Sequence, residues 1–153
     1  SLLKRYLVLQ RKFHPDRYIA SSEAEKRINM QWVAEINLAF ETLSDDQKRS
    51  IYLLKLNGHE LEENPTLDKE ILIKQIELRE DLEEIKRDSN YELALTEFKK
   101  ETEKELESLK FHLKAAFSIG DNESIKNLIY EQQFLTKLIG EIELFDQNPM
   151  EID

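Results

Sequence analysis

Apolar positions recur at helical spacing along nearly the whole chain. Leu2, Tyr6, Leu9 and Phe13 share one face of an α-helix. Ile28, Trp32, Ile36, Ala39 and Leu43 fall within a narrow arc and predict a second helix over about 24–43. The connection between them is short, so the two should pack antiparallel, with residues 18–25 polar and irregular. Trp32 reads as core, because aromatic side chains mostly bury area. Ser44-Asp45-Asp46 is a helix-start signal for a shorter helix through about Asn57, with Gly58 as its C-cap.

Three longer helices follow, over about 69–88, 90–118 and 121–146, with Gly120-Asp121 as the stop and start between the last two. Ile71, Leu78, Leu82 and Ile85 stripe the first of them. Tyr91, Leu95, Phe98, Thr102, Leu106, Leu109, Leu113 and Phe117 stripe the second, and Ile125, Leu128, Leu135, Ile139, Ile142 and Phe145 the third. Each has one continuous apolar face to bury, which three helices do together as a bundle. No period-two alternation argues for a strand. The expectation is all-α: a helical hairpin in 1–57, a linker at 58–68 around Pro65, a three-helix bundle over 69–146 and a tail at 147–153.

The first two helices are separated by Phe13-His14-Pro15-Asp16-Arg17. Pro15 lacks an amide hydrogen and disfavours helical geometry at His14, so the first helix should stop near Phe13. Asp16 is a candidate acceptor for backbone hydrogen bonds in the turn. His14 should then stand exposed at a loop tip.

Charge adds a second feature to this region. The chain carries a net −10, yet residues 1–13 hold Lys4, Arg5, Arg11 and Lys12 and no acid. These cations cluster opposite the apolar stripe. A local basic face on an acidic protein fits either plain solvation or docking on an acidic partner. An acidic chain is a poor nucleic-acid binder. Without cysteine there is no disulfide and no thiolate metal site. His14, His59 and His112 form no ligand pair at helical spacing. No apolar run approaches a membrane span.

The helix at 69–88 has more apolar surface than a bundle needs. Leu72 and Ile76 lie well round from its core stripe, and Ile73 lies behind it. Glu77, Glu80 and Glu84 fall on the same outward side. An apolar pair bordered by carboxylates fits a partner site, or else packing against the linker or first domain. Phe134 sits at the margin of the last helix's stripe.

His14-Pro15-Asp16-Arg17, with Ile36-Asn37-Leu38-Ala39-Phe40-Glu41-Thr42-Leu43-Ser44-Asp45 and Gln47-Lys48-Arg49-Ser50-Ile51-Tyr52, resembles the J domain of DnaJ-type co-chaperones. Tyr52-Leu53-Leu54-Lys55-Leu56-Asn57-Gly58 and 75–85 resemble HscB, the J-type co-chaperone of iron–sulfur cluster assembly. Together the resemblance spans essentially the whole chain. J domains open with a short helix before the basic one, whereas this sequence begins at Ser1 without a Met. The expectation is a fragment lacking that helix, which would leave part of the first core without its usual cover.

The resemblance implies a non-enzymatic co-chaperone without catalytic residues, cofactor or metal. Lys4, Arg5, Arg11, Lys12 and the His14-Pro15-Asp16-Arg17 loop would dock on a 70-kDa heat-shock chaperone of the HscA or DnaK type and stimulate its ATPase. Leu72, Ile76 and Phe134, with Glu77, Glu80 and Glu84 beside them, would bind an IscU-type iron–sulfur scaffold. Ile76 replaces the family's more usual leucine, a change of apolar shape the surface should tolerate. The compartment implied is the bacterial cytoplasm, or alternatively the mitochondrial matrix. Two competing readings are a self-associating helical bundle and a J protein with a different client. An enzyme using His14 and Asp16 as acid and base lacks an evident pocket and nucleophile.

Overall fold

The structure, a computed structural model, describes residues 1–149. Of the tail expected at 147–153, residues 150–153 lie outside them. Every regular element among the described residues is helical, in the order α1 (Leu2–Lys12), a 3-10 turn (Pro15–Tyr18), α2 (Glu23–Ser44), α3 (Asp46–Leu56), α4 (Lys69–Arg87), α5 (Tyr91–Ile119) and α6 (Asn122–Gln147). The chain divides into two compact units, Ser1–Leu53 and the residues from Leu54 onward.

Local chemistry sets most of these boundaries. Ser22 caps α2 by accepting the Glu25 amide at 3.2 Å, and Asp45 caps α3 by accepting the Lys48 amide at 2.8 Å. Gly120 ends α5 with a φ of 79°, a left-handed geometry that glycine adopts without a Cβ penalty. Asp121 starts α6 at once, taking the Ser124 amide at 3.3 Å and its hydroxyl at 2.7 Å. Residues 18–25 are more ordered than expected: Tyr18 completes the 3-10 turn, and α2 begins at Glu23.

In the first unit α1 and α2 share one seam. Tyr6 stacks on Phe40 at 4.0 Å between ring centroids. Its hydroxyl donates to Asn37 Oδ1 at 2.9 Å and accepts from Gln10 Nε2 at 2.6 Å. Phe13 stacks on Trp32 at 5.9 Å. The expectation that Trp32 is core is corrected: it is 53% exposed, and Ile28 is equally open. A two-helix seam covers only the strip of each helix that faces the other, so the rest of an apolar arc stays in solvent.

The second unit packs α4, α5 and α6. Leu82, Leu95, Leu138, Ile142 and Phe145 form a buried cluster, with Leu78, Ile85, Tyr91, Phe98 and Phe134 half-buried against it. Ion pairs link all three helices: Lys74 with Glu105, Arg79 with Glu141 at 2.9 Å, and Lys99 with Glu143 at 3.3 Å. Thr102, buried within α5, donates its hydroxyl to the Phe98 carbonyl at 2.7 Å, which satisfies it inside its own helix. α6 buries Ile129, Gln132 and Leu138 besides residues of its expected stripe. It packs against both α4 and α5, so its buried face is wider than one helical stripe. Residues of the expected linker are tied to this unit, since Glu62 N–H donates to the Tyr130 hydroxyl at 2.7 Å.

Candidate interaction sites

The loop after α1 is shaped by its proline. Phe13 closes the helix, its amide reaching the Leu9 carbonyl at 3.1 Å. His14 is extended at φ −59° and ψ 135°, as a residue before proline must be. The Arg17 amide then returns to the His14 carbonyl at 3.0 Å.

His14 has a local task that the sequence reading gave to Asp16. Its Nδ1 accepts the Asp16 backbone amide at 3.2 Å, so the imidazole caps the turn. A neutral ring accepting at Nδ1 carries its proton on Nε2. The Asp16 carboxylate lies 3.5 Å from the same Nδ1. Both side chains are exposed. The loop is thus a small exposed knob whose turn is closed by its own atoms.

A groove of 320 Å³ opens beside the knob between α1 and α2, lined by Leu7, Arg11, Phe13, His14, Pro15 and Val33 among others. Lys4, Arg5, Arg11, Lys12 and Arg17 are all exposed. Lys12 also covers the Phe13 ring, its Nζ 5.6 Å from the centroid. The knob therefore stands at the end of a basic helix, next to an apolar concavity.

On α4, Leu72 is 43% and Ile76 56% exposed. Ile73 is open as well, and Glu77, Glu80 and Glu84 are exposed around them. Phe134 differs, being half-buried against the Leu82 cluster. What connects it to the α4 face is Arg79, which the sequence reading overlooked. At about 100° per residue Arg79 shares an arc with Leu72 and Ile76. Its guanidinium carbon lies 5.3 Å from the Phe134 ring centroid, and Glu141 fixes it through the ion pair above. The signal was present as spacing, because Arg79 follows Ile76 by three positions and Leu72 by seven.

Beneath this arc, Ile71, Lys74, Gln75, Leu78, Glu131 and Phe134 line a shallow cleft along the α4–α6 seam. Burial pushes the Glu131 carboxyl pKa above its ordinary value. Lys74 and His112 oppose that shift, and Glu105 adds to it.

Residues 67–143 match the family of the HscB C-terminal oligomerisation domain. Over 152 residues the chain is 34% identical to a co-chaperone protein HscB homolog of Aeromonas hydrophila, covering 98% of this chain and 88% of that protein. Solved structures are similar to it as well. The chaperone HscB from Vibrio cholerae superposes with a TM-score of 0.86 at 30% identity, over 97% of this chain and 88% of that one. The human co-chaperone protein HscB gives 0.85 at 27% identity, over 97% of this chain and 74% of that one. The knob on a basic helix and the apolar, acid-flanked face of the bundle are therefore features of a chain that belongs to the HscB family of co-chaperones.

Proposed function

We propose that the first unit stimulates the ATPase of a 70-kDa heat-shock chaperone of the HscA or DnaK type, and that the bundle delivers an IscU-type scaffold to it during iron–sulfur cluster assembly. The observation that carries this reading is the capped His14-Pro15-Asp16 knob at the end of the basic helix α1. Exposed Lys4, Arg5, Arg11, Lys12 and Arg17 draw the acidic surface of the chaperone toward it. Stimulation is allosteric: the knob binds the hydrolysis-competent state better than the other, and that differential affinity shifts the population. No residue of this chain has to make or break a bond, so it is not itself an enzyme.

The scaffold sits on Leu72 and Ile76, with Phe134 at the edge of the same surface and Glu77, Glu80 and Glu84 facing basic groups of the partner. The cluster is the scaffold's cargo. The compartment on this reading is the bacterial cytoplasm. The test is single-turnover ATP hydrolysis by the chaperone with wild-type chain and with Asp16→Asn. The substituted chain should bind no more than weakly and stimulate nothing, while its circular dichroism stays unchanged. Normal stimulation by Asp16→Asn would overturn the reading.

A further inference from the structure

A groove of 410 Å³ runs between α4 and α5. Its floor is Ile85 and Phe98, both half-buried against the Leu82 cluster. Its rim is five exposed carboxylates: Asp81, Glu84 and Asp88 on the α4 side, Glu97 and Glu101 on α5. No cation lines it. Elsewhere in the bundle, Glu105, Glu141 and Glu143 each hold a cation of a neighbouring helix. None of the five rim acids has such a pair among the described residues. Only Glu84 belongs also to the face assigned to the scaffold.

A cleft lined by one sign of charge focuses its field and attracts the other sign. Acids alone would be a solvated rim, and a bare ion gains nothing from Ile85 and Phe98. What fits both parts is an apolar side chain set among several cations.

The chain itself carries that arrangement. Val8 is the most exposed large apolar residue of α1, at 62%. Lys4 and Arg5 lie four and three positions before it, and Arg11 and Lys12 three and four after. At helical spacing all four are its neighbours on the surface. Residues 1–13 hold no acid. The cations span about 12 Å along α1 and Asp81 to Asp88 about 10 Å along α4, at 1.5 Å per residue. α1 thus presents an apolar knob in a ring of cations, the inverse of the groove in charge and similar in length.

We propose that the α4–α5 groove binds α1 of a second copy of this chain, with Val8 on Ile85 and Phe98 and the four cations among the carboxylates. The contact joins two different patches, so it is heterologous. It is weak and salt-sensitive, because its charges are exposed. On the chaperone reading above, a seated α1 is withdrawn from chaperone docking. That consequence rests on that reading, and the interface does not.

Sedimentation of the full chain over a range of concentrations, at low and high salt, tests the interface without any chaperone. The wild-type chain should associate at low salt and dissociate at high salt. Arg5→Glu with Arg11→Glu, and separately Glu97→Lys with Glu101→Lys, should each weaken association at least about tenfold. Circular dichroism should not change, since all four side chains are exposed. Mixed together, the two variants should associate again, because the intact α1 of one meets the intact groove of the other. Val8→Ser keeps every charge and should weaken association too. A wild-type chain that stays monomeric throughout, variants that associate like wild type, or a mixture that does not recover overturns the proposal. Unchanged association of Val8→Ser also overturns it, by showing that attraction between the charges needs no seat in the groove.

Discussion

Arg79 lies over the face of Phe134, its guanidinium carbon 5.3 Å from the ring centroid, while Glu141 holds the same guanidinium at 2.9 Å. One cation thus ties the exposed arc of α4 to an aromatic ring that belongs half to the core. This arrangement separates two side chains that the family resemblance assigns to one surface. Leu72 has no part in the buried cluster, whereas Phe134 packs against it.

The first prediction follows from that difference. Leu72→Ala should leave stability within about 0.5 kcal/mol, as surface changes usually do. Phe134→Ala should cost about 2 kcal/mol, less than the 3–5 of a fully buried phenylalanine. Each should weaken scaffold binding, since anchors buried in a partner typically contribute about 2 kcal/mol. Denaturant melts run beside calorimetry against an IscU-type scaffold check this. A Leu72→Ala chain with full affinity would remove Leu72 from the interface.

The knob yields a second prediction. His14→Gln loses the ring Nδ1 that caps the turn, so it should disturb the Asp16 amide as well as docking. Asp16→Asn keeps that cap. Amide exchange at Asp16 should therefore quicken in His14→Gln and stay slow in Asp16→Asn, although both stop ATPase stimulation. Equal exchange in the two would mean that the imidazole does not hold the turn in solution.

How far such features were legible depended on how local they are. The stop at Gly120 and start at Asp121 need only a left-handed residue and a side-chain cap, and both were readable from two letters. Trp32 was misread as core because periodicity reveals an apolar face and says nothing about whether another element covers it. Gln132 and Ile129 were missed for the converse reason: α6 buries two faces, and a stripe template looks for one. Arg79 escaped because a cation in an apolar arc reads as solvated until its aromatic neighbour on α6 is known. The His14 cap escaped because histidine is seldom sought in that role.

The basic face gives a third prediction. Lys4, Arg5 and Arg11 are exposed, so in docking they should act through screened long-range attraction. Arg5→Glu with Arg11→Glu should slow chaperone association more than it speeds dissociation. Salt should slow the wild-type association toward the rate of the double variant. Stopped-flow association rates at low and high salt measure this, and a wild-type rate indifferent to salt would exclude electrostatic docking.

The fourth prediction concerns pH. Burial is the main cause of the raised Glu131 pKa, with Glu105 adding and Lys74 and His112 opposing. A carboxyl whose pKa is raised by folding favours the native state when protonated. Its contribution is complete below the ordinary glutamate value of about 4.3 and is lost as pH rises through the folded value. In its ionised form Glu131 is therefore a burden on the α4–α6 seam. Glu131→Gln keeps the shape and removes the charge. It should melt higher than wild type at pH 7, and the gap should close as the pH falls toward 4. Lys74 sets a limit on the effect, because it already compensates part of the charge from α4. Lys74→Met in the wild-type background should accordingly lower the pH 7 melting temperature, and in the Glu131→Gln background should lower it less. Thermal melts of the four chains at the two pH values form the cycle. A Glu131→Gln chain no more stable than wild type at pH 7 would show that water reaches the carboxylate and that the seam is looser than its packing implies.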